Sequence, residues 1–227
     1  MKKTIISAVV VFLFSCSSSE LEKGLICLRL GDYTRAIQFF DSVLTKHPDH
    51  FEARVGIGKA YIQMAADNLQ DSVSWKKAIM NLEAARAAGT TQQLNALLSQ
   101  VWQQRGKLLL NSADTLSALE ALTRAIEYDP ASAQALNLAG IIYFRMGRIE
   151  KSRTILGRAI AIDSMNPAPF FNLGMIDWHE GNITDAHTRW MKALQCSPDD
   201  EDIIYWFARS EKELRDKAAL LSEELTQ

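Results

Sequence analysis

The chain has 227 residues, 25 Lys and Arg against 27 Asp and Glu, and a formal net charge of −2 at pH 7. That balance includes no basic stretch of the kind nucleic acid needs and no glycine-rich phosphate loop. His47, His50, His179 and His187 are scattered, and no HExxH, GxSxG or paired-cysteine spacing occurs. The sequence therefore points to a binding protein rather than an enzyme, with no catalytic residue, metal, cofactor or nucleic-acid partner assigned.

At the amino terminus Lys2 and Lys3 precede about ten apolar residues, Ile5 to Phe14, too few to span a bilayer and suited to a signal-peptide core. The segment ends Leu13, Phe14, Ser15, Cys16, which resembles the bacterial lipobox, with Phe14 bulkier than the small residue usual there. The resemblance implies removal of residues 1–15 as a signal peptide, a diacylglyceryl thioether on Cys16, and acylation of the new amino group. Three acyl chains would hold the protein firmly, since two suffice. Ser17, where aspartate would signal inner-membrane retention, directs the expected location to the outer membrane, on its periplasmic side or at the surface. An ordinary secreted protein with an early cysteine is the alternative. Loss of Lys2 and Lys3 moves the net charge to −4. Ser19 and Glu22 form a capping-box pair, so the first helix is expected to start there. Residues 16–19 are then a tether reaching only about 14 Å, at about 3.5 Å per residue, which keeps the body near the bilayer.

Beyond the tether the chain is periodic. Reading back from Pro48, Pro130 and Pro198, small residues recur at Ala36 (with the off-pattern Val43), at Ala118 and Ala125, and at Ala186 and Ala193. Phe40, Leu122 and Trp190 stand between them, and Gly24, Gly106 and Gly174 lie one helix earlier. A period of about 34 residues with small residues where two helices touch resembles the tetratricopeptide repeat (TPR). The resemblance implies an all-α fold: a right-handed TPR superhelix of about five helix-turn-helix repeats plus a C-terminal capping helix. The frame places five repeats in 20–200, at 17–50, 51–92, 99–132, 133–166 and 167–200, with the cap at 201–227. Gly58 and Gly140 complete the small position of the first helices, Tyr61 and Tyr143 its aromatic position, and Ala78 the contact position of the second. Departures from the pattern are Trp102 as the one early tryptophan, Ser152 for alanine, and Ser164 and Thr90 for proline.

Two irregularities break the register. Repeat 2 carries an insertion within 65–74, read equally as a longer loop or an overrunning helix, and as decoration or partner contact. Gln93 to Leu98 reads as a helical extension capped by Thr90 or Thr91. In the cap Ile203, Ile204 and Phe207 are expected inward, with charge elsewhere. The acids Asp199, Asp200, Glu201 and Asp202 suit a helix start without any ion. Cys27 and Cys196 read as small hydrophobes rather than a disulfide pair.

In the family the first helix of each repeat lines a concave groove. Mapped onto this frame, Lys59, Gln63, Gln100, Gln103, Gln104, Lys107 and Asn111 form a polar half. Asn137, Leu138, Ile141, Phe144, Arg145, Phe171, Asn172, Met175, Trp178 and His179, continued by Tyr205, Trp206 and Arg209, form an apolar and aromatic half that is the candidate partner site. Part of that stripe is alternatively covered by the capping helix. The chaperone-type carboxylate clamp does not match, because Leu21 and Leu25 occupy its Lys and Asn positions. The resemblance implies a membrane-anchored adaptor or assembly factor that takes a protein or peptide partner in the cell envelope. A surface adhesin and a carrier for a small hydrophobic ligand are the alternatives.

Overall fold

The computed structural model describes residues 19–66 and 71–224. The signal peptide expected at 1–15 and the expected lipidation site Cys16 lie outside the described residues, as does 67–70 of the insertion. Eleven helices and no strand occur among the described residues: α1 (Glu20–Arg29), α2 (Tyr33–Lys46), α3 (Phe51–Ala66), α4 (Ser72–Ala88), α5 (Gln92–Asn111), α6 (Thr115–Tyr128), α7 (Ala133–Arg145), α8 (Ile149–Ile162), α9 (Pro167–His179), α10 (Ile183–Cys196) and α11 (Glu201–Glu224). None of these helices is long and apolar enough to cross a membrane. The chain divides into two compact units, Met1–Ala113 and Asp114–Gln227, so the frame's third repeat, 99–132, contributes a helix to each. In the first unit α1 packs on α2 and α3 on α4; in the second α7 packs on α8, α9 on α10, and α11 on α10.

The pairing follows from one device repeated. A glycine in the first helix leaves a hole that a large residue of the second helix fills. A Cβ at Gly24 would stand 2.6 Å from the Phe40 ring, at Gly58 2.5 Å from Leu82, at Gly140 2.6 Å from Leu156 and at Gly174 2.5 Å from Trp190. Phe40, Leu82, Leu156 and Trp190 are fully buried, each contributing roughly 1.5–3 kcal/mol or more. Ala36, Ala78 and Ala186, also fully enclosed, let the axes approach. Ser152 keeps the small volume and donates its hydroxyl to the Gly140 carbonyl at 2.7 Å, which explains serine at a buried alanine position.

The turns within repeats need a left-handed residue, supplied by Gly31 (φ 79°), Gly147 (φ 70°) and Gly181 (φ 80°). Ala113 holds the same place at φ 61°, a conformation that strains a residue with a Cβ. Helix starts are capped locally. The Ser19 and Glu22 capping box is formed in both directions, and Thr91 accepts from Leu94 N. Asp32, Asp71 and Asp114 cap the second helices α2, α4 and α6. Asp200 Oδ1 accepts from the backbone of Asp202 and Ile203, so the acidic run starts a helix. The insertion lengthens α3 to Ala66, about one turn beyond the register at which α1, α5, α7 and α9 stop. In α11 Ile203 is buried and Phe207 half-buried, but Ile204 is 43% exposed. The inward face runs 203, 207, 210, and Ile204 lies off that helical stripe. Cys27 is fully buried, and burial, reinforced by the Asp32 carboxylate, raises its thiol pKa; Cys196 is half-buried. Both are free thiols.

Candidate functional site

All thirteen candidate groove residues fall in the second unit, on α7, α9 and α11. Helical spacing puts Asn137, Leu138, Ile141, Phe144 and Arg145 along one side of α7 and repeats the arrangement on α9 with Phe171, Asn172, Met175, Trp178 and His179. Leu138, Ile141, Phe144, Phe171, Asn172 and Met175 are half-buried, whereas Arg145 and His179 are exposed.

The two helices are stitched by matching residues. Asn172 Nδ2 donates to Asn137 Oδ1 at 2.9 Å, with Asn137 buried, and His179 meets the Phe144 ring edge-on at 5.6 Å between centroids. The asparagines are therefore bonded to each other, and a ligand backbone reaching this strip meets a polar pair already oriented by its own hydrogen bond.

Trp178 has a double position. Its ring lies 5.7 Å from Trp190 and 5.8 Å from Trp206, and Trp206 lies 5.4 Å from Trp190. The Arg209 guanidinium covers Trp178 and Trp206 at 5.4 and 5.2 Å and donates to the Tyr205 hydroxyl at 3.3 Å. Such cation–π contacts contribute about 0.5–2 kcal/mol each. Trp178, Trp206 and Arg209 thus close α11 onto α9 and α10, while Tyr205, 57% exposed, extends the aromatic surface outward. Trp190 anchors the cluster: Gly174 lets its indole N–H reach the Phe171 carbonyl at 3.2 Å.

Beneath Trp178, Asp177 is buried at a register where repeats 2 and 4 carry Tyr61 and Tyr143. Arg153 Nη1 pairs with its Oδ1 at 2.6 Å and also reaches Glu180; Arg189 Nε lies 3.6 Å from Oδ2. Burial works against the Arg153 charge, yet hydrogen bonds to Glu180 and Asp177 keep its pKa above the ordinary value. This network ties α8, α9 and α10 together at the end of the site. His187 faces elsewhere: it stacks on Phe207 at 4.6 Å and bonds Ser210 Oγ at 3.0 Å. Among the described residues no group of three or more His, Cys, Asp or Glu side chains is placed to hold a metal.

The alternation of helices, glycine holes and left-handed turns has a counterpart in known families. Tetratricopeptide repeat profiles match residues 28–68 and 104–169. The chain is a tetratricopeptide repeat protein. Similar curated proteins include human tetratricopeptide repeat protein 6, 21% identical over 199 residues, or 78% of this chain and 38% of that protein. A TPR repeat-containing protein of Pseudomonas aeruginosa is 23% identical over 185 residues, 81% of this chain and 29% of its own. The TPR chain spans 38% or less of the length of the first curated relatives it matches. Among solved structures, MamA superposes with a TM-score of 0.56 at 21% identity, covering 77% of this chain and 94% of its own. YrrB, described as a TPR protein with an unusual peptide-binding site, gives 0.59 at 18% identity, covering 88% and 96%. These likenesses show the TPR fold.

Within that fold, sequence reasoning missed Asp177 and its arginines. Its signal was an acid at an aromatic register inside an otherwise apolar helix. The closure of Trp178 by Trp206 and Arg209 had no signal of its own, because it depends on how α11 lies.

Proposed function

A TPR fold supports a protein–protein interaction role, and we propose that this chain is an envelope adaptor or assembly factor, anchored through lipid on Cys16, that holds a peptide or partner helix on the first-helix face of α7 and α9. The observation that carries the reading is the strip of half-buried apolar side chains beside an oriented amide pair, Phe144, Ile141, Phe171 and Met175 around Asn137 and Asn172. Apolar pockets with a few fixed polar groups are what a peptide segment needs. The peptide-binding description of the structurally similar YrrB supports the same class of partner. Anchoring rests on the lipobox resemblance at Cys16.

Selection of a displayed random-peptide library on immobilised protein tests the groove. Peptides enriched on the wild type should lose binding about thirtyfold on Phe144→Ala with Asn172→Ala, a hot-spot loss of about 2 kcal/mol. Equal retention on the double variant, with unchanged circular dichroism, removes the site from this face. Fatty-acid labelling tests the anchor separately, since label persisting on Cys16→Ala overturns it.

A further inference from the structure

The first unit holds a pocket of about 430 Å³ between α4 and α5, at registers other than those of the groove. Trp75, Ile79, Leu108 and Leu109 form its apolar lining, and Lys76 and Arg105 stand at its rim. Each helix contributes residues three and four apart, so one face of each looks into the space. The pocket coincides with a departure from the repeat pattern. At the register of Arg105 the second, fourth and fifth repeats bury Ile57, Ala139 and Leu173. The third repeat carries an exposed arginine there instead.

The rim of the pocket points to an anionic ligand. Lys76 and Arg105 have no carboxylate partner among the described residues, and the Arg105 guanidinium is held over the Trp102 ring at 5.3 Å, which keeps it at the rim. Trp102 itself is steadied by donating to Glu83 Oε1 at 3.0 Å. An apolar lining under two unpaired cations, in a chain of net charge −2, is complementary to one kind of small molecule.

We propose that this pocket binds a small carboxylate amphiphile, its apolar tail against Trp75, Ile79, Leu108 and Leu109 and its carboxylate between Lys76 and Arg105. The volume takes about fourteen water-sized groups at about 30 Å³ each, the bulk of a fatty acid of about ten carbons and less than a folded peptide segment requires. The site is independent of the peptide face of the second unit.

Isothermal titration of the full chain with decanoate, decanol and acetate tests the assignment. Decanoate should bind saturably with one-to-one stoichiometry below its micelle concentration, decanol more weakly, and acetate not measurably. The double variant Lys76→Gln with Arg105→Gln should weaken decanoate about tenfold or more and leave decanol and thermal melting unchanged. Leu109→Gln should weaken both ligands, and Phe144→Ala neither. No saturable decanoate binding, decanol binding as tight as decanoate, or decanoate binding that survives the double variant would each overturn the proposal.

Discussion

The helix contact α4/α5 in the first unit and the contact α10/α11 in the second occupy the same register, and they end differently. In the second, Phe207 stands where Arg105 stands in the first; it stacks on His187, which holds the register of Ile79. Trp190 and Trp206 extend the seal, and the pocket left beside His187, Glu211, Leu214 and Arg215 is about 200 Å³. In the first, arginine at that register leaves about 430 Å³. The α6/α7 contact, with buried Ala139 at that register, keeps about 560 Å³ beside Leu116, Leu119 and Tyr143, so it is the bulk of Phe207 and its stack on His187, and not apolar character alone, that accompany the tighter contact. The difference teaches that the size of the side chain at this repeat position changes how much space two neighbouring helices leave.

The contrast can be broken most severely at its closed end. Trp190→Ala removes the fully buried ring that fills the Gly174 hole and supports Trp178 and Trp206, and is expected to lower stability by about 3–5 kcal/mol in urea unfolding. A loss under about 1 kcal/mol would show that the aromatic cluster is ornamental. Phe207→Arg, which copies the third repeat's residue into α11, should cost about 2 kcal/mol through the lost burial and the lost stack on His187. If melting is unmoved, the register comparison fails.

The reciprocal exchange sharpens the open end. Arg105→Phe is expected to fill the crevice and stabilise the protein by about 1 kcal/mol while abolishing decanoate binding in titration. Destabilisation instead would mean that the pocket walls are set by something other than this side chain. Ala113→Gly should add up to about 1 kcal/mol in denaturant midpoint, because the left-handed turn no longer strains a Cβ. The smallest stability effect belongs to Tyr205→Ala, within about 0.5 kcal/mol, since the ring is mostly exposed. A loss of several kcal/mol there would place Tyr205 inside the seal.

The helix pairs could be read from Gly24, Gly58, Gly140 and Gly174 with the large residues one helix later, because a hole and its filler recur at fixed spacing. The cap at Ser19, the helical extension from Thr91 and the inward faces of Ile203 and Phe207 were legible for the same local reason. Ile204 was not, since one residue is 100° of rotation and only packing says which side wins. Of the candidate site, the membership of α7 and α9 was visible in the frame. Which members face outward and which are consumed in packing was not.

That division has a physical basis. Helix periodicity, glycine holes, left-handed turns and caps act within about one repeat, so the sequence alone determined the class of fold and the registers of its residues. The Asn137–Asn172 bond, the Arg153–Asp177 pair and the stacking of Arg209 on Trp178 join residues of different repeats. So does the crevice beside Trp75. Whether such residues meet, and whether a space remains between them, is set by the packing of one helix on the next, and only the tertiary structure decided it.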